Sequence, residues 1–521
     1  MSDAAPTVAN PLLVSTVVSL AAFMEVLDTT IANVALSHIA GSLGASSEES
    51  TWVITSYLVA NGIVLPLSGW LSALMGRKRF FIFCILGFTL TSFICGISNS
   101  LGMLIVARLL QGLAGGGLQP MQQAIIKDSF PPEKLGMAFA ITGITTVLAP
   151  ILGPLLGGYI TDSYSWRWIF FINVPVGLLA AFLVKLMVQD PPSAQKQNIG
   201  SVDYIGLGLV AIGLGALQIV LDKGQQEDWF DSSFIVFFAA IAAIGLILAV
   251  FWLLEQKNPI VKLRLFAIPS FGMPCIMIFF VGFALYSSAT ILPMLVQANF
   301  GYDATLSGLV LSPGGIVTLF MMPVAGRLVT VIQSKYLISF GMLVTALGMW
   351  AAGLVTPETD YYTFVLVRIL QVIGLPFLFV PASTLAFSKI SPENSNDASA
   401  IVSLMRNLGG SIGIALVTNQ LIHSQQAEQA NLVQHLTAAD PGYSSTLAAY
   451  TQIFINMGVP ASQAATDAMG KIYQELLHQA SILAYRDAYN FVALVCVVLG
   501  IIALFMPGNP LKKKNAPAAA H

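Results

Sequence analysis

Residues 14–39 read VSTVVSLAAFMEVLDTTIANVALSHI. A helix crosses a bilayer in about 20 mostly apolar residues, and this stretch is long enough to do so. Its apolar residues run on without alternation, which excludes a strand of a membrane β-barrel. Glu25 and Asp28 interrupt it, three residues apart and therefore on one helix face. A charge at that depth costs roughly 2.5–3.5 kcal/mol on insertion scales. The two carboxylates are therefore the first candidates for function.

Runs of the same kind recur along the chain. They centre near Phe23, Asn61, Gly87, Leu113, Val147, Gly177, Gly213, Ala243, Gly282, Ile316, Thr345, Phe377, Ile412 and Val497. The length rule gives about fourteen spans. Composition agrees: of 521 residues, 56% are hydrophobic and 9% charged, where a soluble domain carries about 25% charged residues. Mean hydropathy is +0.80. An ordinary soluble enzyme and a disordered chain are excluded. The balance of 23 Lys and Arg against 25 Asp and Glu offers no basic surface to nucleic acid. The four cysteines lie inside apolar runs and read as small buried hydrophobes. The five histidines lack metal-ligand spacing, and no G-x-x-x-x-G-K-[ST] loop is present for ATP. The sequence thus implies no cofactor, no metal and no enzyme site.

Lys and Arg set the orientation. Arg77, Lys78, Arg79, Lys127, Lys134, Lys185, Lys196, Lys257, Lys262, Arg264, Arg327, Lys335, Lys389 and Lys512 to Lys514 fall on one side. Only Arg167, Lys223, Lys471 and Arg486 fall on the other. The first side is expected to be cytoplasmic, with both termini there. Met1 to Asn10 lacks a basic n-region, so the first span is expected to be an uncleaved helix. A repeat is also visible. PLSG at 66–69 matches PVAG at 323–326, and RLLQG at 108–112 matches RILQV at 368–372. Both halves begin on the same side, so they are parallel repeats. The expected organisation is a six-helix half at 1–188, a cytoplasmic linker at 189–202, an inserted two-helix hairpin at 203–254, and a second six-helix half at 255–521. That last half contains an outer loop, 423–485, with helical stretches.

Buried charge marks the other candidates. Arg108 lies within the fourth span, and a buried Arg needs an acceptor. A guanidinium beside a carboxylate favours its ionised form, and its departure favours protonation. Arg108 meeting Asp28 would form such a proton couple, with Glu25 as a further member. Arg368 is the repeat counterpart of Arg108 and reads as structural. In the fifth span, Ala149, Pro150, Gly153, Pro154, Gly157 and Gly158 permit close backbone contact and bending. Gly69, Gly76, Arg77 and Lys78 form a turn that reads as an anchor or a gate. Asn33, Tyr57, Asn61, Gln119, Gln122, Gln123 and Arg406 are candidates for a polar cavity lining.

Together these motifs resemble the major facilitator superfamily, in its branch of fourteen-span drug:proton antiporters of the EmrB type. The resemblance rests on LDTTIANVA at 27–35, Gly69 with Gly76-Arg77-Lys78, Arg108 with Gln111-Gly112, and APILGPLLGG at 149–158. It rests further on WRWIFFINVP at 166–175 and RNLGGSIG at 406–413. It implies an all-α integral membrane fold of two six-helix halves plus two inserted helices. It also implies proton-driven export of small amphipathic toxic compounds from a bacterial inner membrane. Asp28 and Arg108 take the family's charged positions, and the fifth-span motif goes with antiport. The EmrB type also implies an EmrA-like periplasmic adaptor and an outer-membrane channel. Three departures stand out. Ala73 occupies the loop position where the superfamily usually has an acid. Ala149 stands for a glycine. Glu25 is an additional acid, which either favours cationic substrates or adds a second proton site. A nutrient symporter, a membrane scaffold and a lipid or fatty-acid exporter are the rival readings.

Overall fold

A computed structural model describes residues 10–191, 203–437 and 440–508. Residues 1–9, linker residues 192–202 with Lys196, residues 438–439, and the tail with Lys512 to Lys514 and His521 lie outside the described residues. The described residues form helices and turns without strands. Fourteen segments are long and apolar enough to cross a membrane. The first six are α1 (Pro11–Leu43), α2 (Glu48–Met75), α3 (Arg77–Gly96), α4 (Leu101–Ser129), α5 (Pro132–Ser163) and α6 (Trp168–Met187). An inserted pair follows, α7 (Tyr204–Lys223) and α8 (Ser233–Glu255). The last six are α9 (Pro269–Phe300), α10 (Ala304–Leu328), α11 (Ser334–Ala352), α12 (Tyr361–Phe387), α13 (Pro392–Val433) and α14 (Ala461–Ala503).

Local chemistry starts and stops these helices. Side-chain oxygens of Asn10, Ser100, Asp203, Asp303 and Asp360 accept backbone N–H groups at the helix starts, satisfying donors that have no intrahelical partner. Gly76, at φ 86°, makes the sharp turn between α2 and α3. Large apolar side chains such as Phe83, Leu90, Phe182, Phe251 and Leu494 point outward. In a membrane their solvent is lipid. α8 is the most lipid-facing of the segments and leans on α7, where a Cβ at Gly245 would lie 3.1 Å from Gly213 Cα.

Two segments are broken at glycine, and the breaks matter for the site. α4 comprises two helices, Leu101–Gly115 and Leu118–Ser129. A Cβ at Gly116 would sit 2.8 Å from Val64 Cβ, so α2 passes too close for any side chain there. α12 breaks likewise at Gly374, between Tyr361–Ile373 and Leu375–Phe387.

The halves meet along α5 and α10. A Cβ at Gly136 would lie 2.6 Å from Gly326 O, one at Gly143 2.7 Å from Met322 Sδ, and one at Gly308 2.6 Å from Leu155 Cα. On its other face α5 packs on α1, with Gly153 against Thr30 and Gly157 against Ile31. The stretch 423–485, expected as an outer loop with helical stretches, is helical for most of its described length. α13 runs on to Val433, a separate helix spans Pro441–Asn456, and α14 starts at Ala461. Gln429 donates to Tyr473 Oη at 2.7 Å, tying the two extended helices together.

Candidate functional site

A cavity of about 850 Å³ lies between the halves. On α1 its lining runs from Glu25 through Thr29, Thr30 and Asn33 to His38. α2 supplies Thr51, Tyr57, Asn61 and Leu65, α4 supplies Gln119, and α13 supplies Leu404, Asn407 and Ser411. Asp162, Asp222 and Ala304 stand at its mouth, at the helix ends remote from Arg77 and Lys127. The cavity thus opens on the side opposite the basic loops, and Glu25 forms part of its floor. Glu25, Asp162 and Asp222 are its carboxylates, and among the described residues no Lys or Arg lines it. His38 pairs with Asp162 at 3.4 Å when protonated.

Below the floor the halves are shut. Lys127 Nζ donates to Ser395 Oγ at 2.7 Å, and Arg77 holds Asp128 at 2.8 Å. Asp397 of α13 packs on Gly69 and pairs with Lys262 at 2.8 Å. With Ala73 supplying no acid near the α2–α3 turn, the acids at this seam are Asp128 of the first half, which accepts from Ser395 Oγ at 3.2 Å, and Asp397 of the second. Lys78 N donates to both Asp190 carboxylate oxygens at 3.0 Å.

The two α1 carboxylates have different surroundings. Asp28 is buried and does not line the cavity. Arg108 Nη1 donates to its Oδ2 at 2.5 Å, and Asn173 Nδ2 donates to its Oδ1 at 2.7 Å. Arg108 Nε also donates to Val53 O at 3.1 Å, and its guanidinium stacks 4.3 Å from the Tyr57 ring centre. Every member of this cluster belongs to the first half. Glu25 faces the cavity instead. Its Oε1 accepts from Tyr57 Oη at 3.2 Å and Asn61 Nδ2 at 3.0 Å, and its Oε2 accepts from Gln119 Nε2 at 2.5 Å. Gln119 Oε1 in turn accepts from Arg406 Nη2.

Of the lining candidates, Asn33, Tyr57, Asn61 and Gln119 face the cavity. Gln123 does not. It is buried, and both of its amide atoms are without a partner among the described residues. Gln122 bonds Ser19 and Thr145 instead. Arg406 sits behind Gln119 rather than in the wall. Pro150 and Pro154 of α5 do line the cavity. Sequence reasoning quoted Asn173 within the 166–175 motif but gave it no role, since it reads there as a lone amide in an apolar run. It also missed Asp222 and Gln218 of α7, which line the wall. There Gln218 Nε2 donates to Ser411 Oγ at 3.2 Å, and Asp222 accepts from Thr55 Oγ1. Their position near a span end, next to Lys223, looks like an ordinary interface anchor.

A family model described as Major Facilitator Superfamily matches residues 18–414. The multidrug export protein EmrB of Escherichia coli K12 is 34% identical over 97% of this chain and 98% of its own length. The fatty acid resistance protein FarB of Neisseria gonorrhoeae is 34% identical over 92% of this chain and 93% of its own. Among solved structures, a double tryptophan mutant of XylE superposes with a TM-score of 0.61, 13% identity and 96% coverage of both chains.

Proposed function

Because this chain belongs to the Major Facilitator Superfamily and is of its EmrB type, a multi-pass membrane transporter rather than an enzyme, we propose that it exports amphipathic toxic compounds across a bacterial inner membrane in exchange for protons. The observation that carries this reading is Glu25, a membrane-depth carboxylate in the floor of a central cavity that opens on one side only. With the basic loops in the cytoplasm, with both termini, that opening faces outward and the cytoplasmic side is shut. Substrate leaves by the open side, a proton enters, and the halves rock to expose the cavity inward. The inward exit of the proton then completes the cycle. Glu25, Asp28 and Arg108 form the coupling set, with Glu25 the member a proton meets first. Gly69, Gly76, Arg77 and Lys78 serve the cytoplasmic gate. The α5 motif, Ala149 to Gly158, is the sliding face against α1 and α10. The membrane potential adds about 2.3 kcal/mol per charge per 100 mV.

Carboxylates without Lys or Arg in the lining favour cationic or neutral amphiphiles over anions. The relatives named for multidrug export support the substrate class. An EmrA-like adaptor and an outer-membrane channel would complete the path, and the helical column built from 423–485 is where such an adaptor would meet this protein.

Proteoliposomes with an imposed pH gradient and a fluorescent amphipathic cation test the reading. Wild type is expected to move dye against its concentration. Glu25→Gln and Asp28→Asn are expected to lose that uphill movement yet still bind dye. Downhill-only movement by wild type would sink the proposal.

A further inference from the structure

We infer that Gln119 is an amide relay that reports the protonation of Glu25 to Arg406 across the seam between the halves, so that a proton arriving from the cavity loosens the contact holding the cytoplasmic side shut. The inference rests on the proton-coupled reading above and names the device through which the coupling acts.

The chemistry at both ends fixes the amide. Arginine has only donors, so Gln119 must turn Oε1 towards Arg406. Nε2 then faces Glu25, as it does at 2.5 Å. An ionised carboxylate only accepts, so this orientation suits Glu25 without a proton. A protonated carboxyl must donate from one oxygen. Oε1 already receives two donors, from Tyr57 and Asn61, while Oε2 receives only Gln119. A proton on Oε1 can be given to Tyr57 Oη, which turns from donor to acceptor and leaves the relay at rest; the proton that the relay reports is one on Oε2, whose one donor is Gln119. A proton there faces an N–H donor, and the amide relieves the clash by presenting Oε1 to Glu25. Its N–H groups then point at the guanidinium, donor against donor, and the Arg406 contact is lost. A proton on Glu25 Oε2 and the Gln119–Arg406 bond exclude one another.

That bond crosses between the halves. Arg406 is on α13, yet its guanidinium donates to Gln119 of α4 and Thr146 of α5. Along α13 it lies between Asp397, in the closed seam, and Asn407, in the cavity wall. Its backbone is held firmly: a Cβ at Gly282 of α9 would overlap the carbonyl of Arg406, one at Gly409 would overlap that of Phe279, and one at Gly413 would lie 3.0 Å from Phe283 Cα. Arg406 therefore moves with the second half. Rocking the halves apart on the cytoplasmic side removes it from Gln119 and leaves it in contact with water. The Asp28–Arg108 pair has no such property, since both partners ride on the first half. The charged and titratable groups facing Glu25 are Tyr57 from α2, Tyr286 from α9 and Arg406 from α13, with Asp28 a turn away on α1 and engaged by Arg108. Because proton and contact exclude one another, the coupling is reciprocal: closing the seam expels the proton, and the proton opens the seam.

The test uses the full-length protein in nanodiscs with spin labels at Glu133→Cys and Glu393→Cys, exposed positions on the cytoplasmic-side loops of the two halves. The four native cysteines are buried. The label separation is followed from pH 5 to pH 9. In wild type the closed population is expected to give way to the open one as pH falls. Glu25→Gln, which carries a permanent N–H donor, is expected to read open throughout. Gln119→Leu and Arg406→Gln break the relay from its two ends. In each, the closed population at high pH is expected to fall about tenfold, within the usual range of coupling between two sites. Arg406→Lys, which still only donates, is expected to keep a pH response. Dye binding by each variant verifies its fold, and misfolding of one relay variant leaves the other to decide. Wild-type curves in both relay variants, with Glu25→Gln still flat, would overturn the relay and leave the proton reading standing. A pH response surviving in Glu25→Gln would also overturn it. A wild type without any pH response, together with downhill-only transport, would remove the proton reading itself.

Discussion

Arg108 and Arg368 each stand 80 residues after the residue they bond, Asp28 and Ser288, and each donates to a glutamine three residues on. The two halves have thus kept one frame: a buried guanidinium just before the glycine break of α4 or α12, aimed at α1 or α9. What differs is the acceptor. In the first half a carboxylate meets the charge, and Asn173 and Gln111 complete its shell. In the second half a hydroxyl at 3.2 Å stands in its place, and Arg368 Nε and Nη2 have no hydrogen-bond partner among the described residues. The frame therefore does not depend on an acid: the guanidinium and its glutamine recur in both halves, and a carboxylate faces the guanidinium in the first half alone. Glu25, one turn from Asp28, sits on the same side of this asymmetry.

The sharpest way to break the contrast is to give the first half the chemistry of the second. Asp28→Ser leaves Arg108 with a hydroxyl, as Arg368 has. Removing one partner of a buried pair costs roughly 3–5 kcal/mol, and uphill dye transport is expected to fall to background. Thermal unfolding in detergent and gradient-driven transport measure the two effects. A variant as stable and as active as wild type would show that Arg108 needs no acid.

A smaller change keeps the pair and thins its shell. Asn173→Ala removes the 2.7 Å donor to Asp28 Oδ1 and the link to Ser92. A hydrogen bond to a charged group is worth about 1.5–3 kcal/mol, so a loss of stability in that range is expected, with Arg108 still in place. Uphill transport should weaken without vanishing. Unchanged stability would mean that the ion pair alone carries the cluster.

Much of this was legible in the sequence, for identifiable reasons. Apolar length gives the fourteen spans, because bilayer thickness is a constraint hydropathy can read. The repeated arginine and glutamine reveal the two halves. Illegible was the depth at which the cavity ends. Gln119 and Gln123 are four residues apart and share a helix face, yet Gln119 reaches the cavity, while Gln123, one turn farther toward the basic loops, is buried in the closed interior. In the stretch 423–485 helices were expected, but not their length. Its last helix carries a buried stripe at every fourth residue, Ala464, Ala468, Ile472, Leu476 and Ala480, but three of the five are alanine, so the stripe is weak in hydropathy, and Glu428 with Arg486 at 4.0 Å adds a contact between the helices. Arg406 was noticed as a buried charge, but its partner lies on the other half of the chain, and no spacing rule connects residues so distant in sequence.

The mildest test runs the comparison the other way. Ser288→Asp gives Arg368 the carboxylate that Arg108 already has. Two terms oppose each other. Pairing a guanidinium that is already buried gains a charge-assisted bond, about 1.5–3 kcal/mol. Fitting a carboxylate where a serine is buried strains the packing by a comparable 1–3 kcal/mol. The two ranges nearly coincide, and burying the new carboxylate adds a desolvation cost, so stability should stay close to wild type and the melting temperature should move little in either direction. Uphill transport should stay within about twofold of wild type, since neither Ser288 nor Arg368 lines the cavity and the α9–α12 contact stays within one half. A new proton dependence of transport in this variant would mean that either half can host the coupling acid, and the asymmetry between the halves would then be an accident of this sequence rather than a requirement of the mechanism.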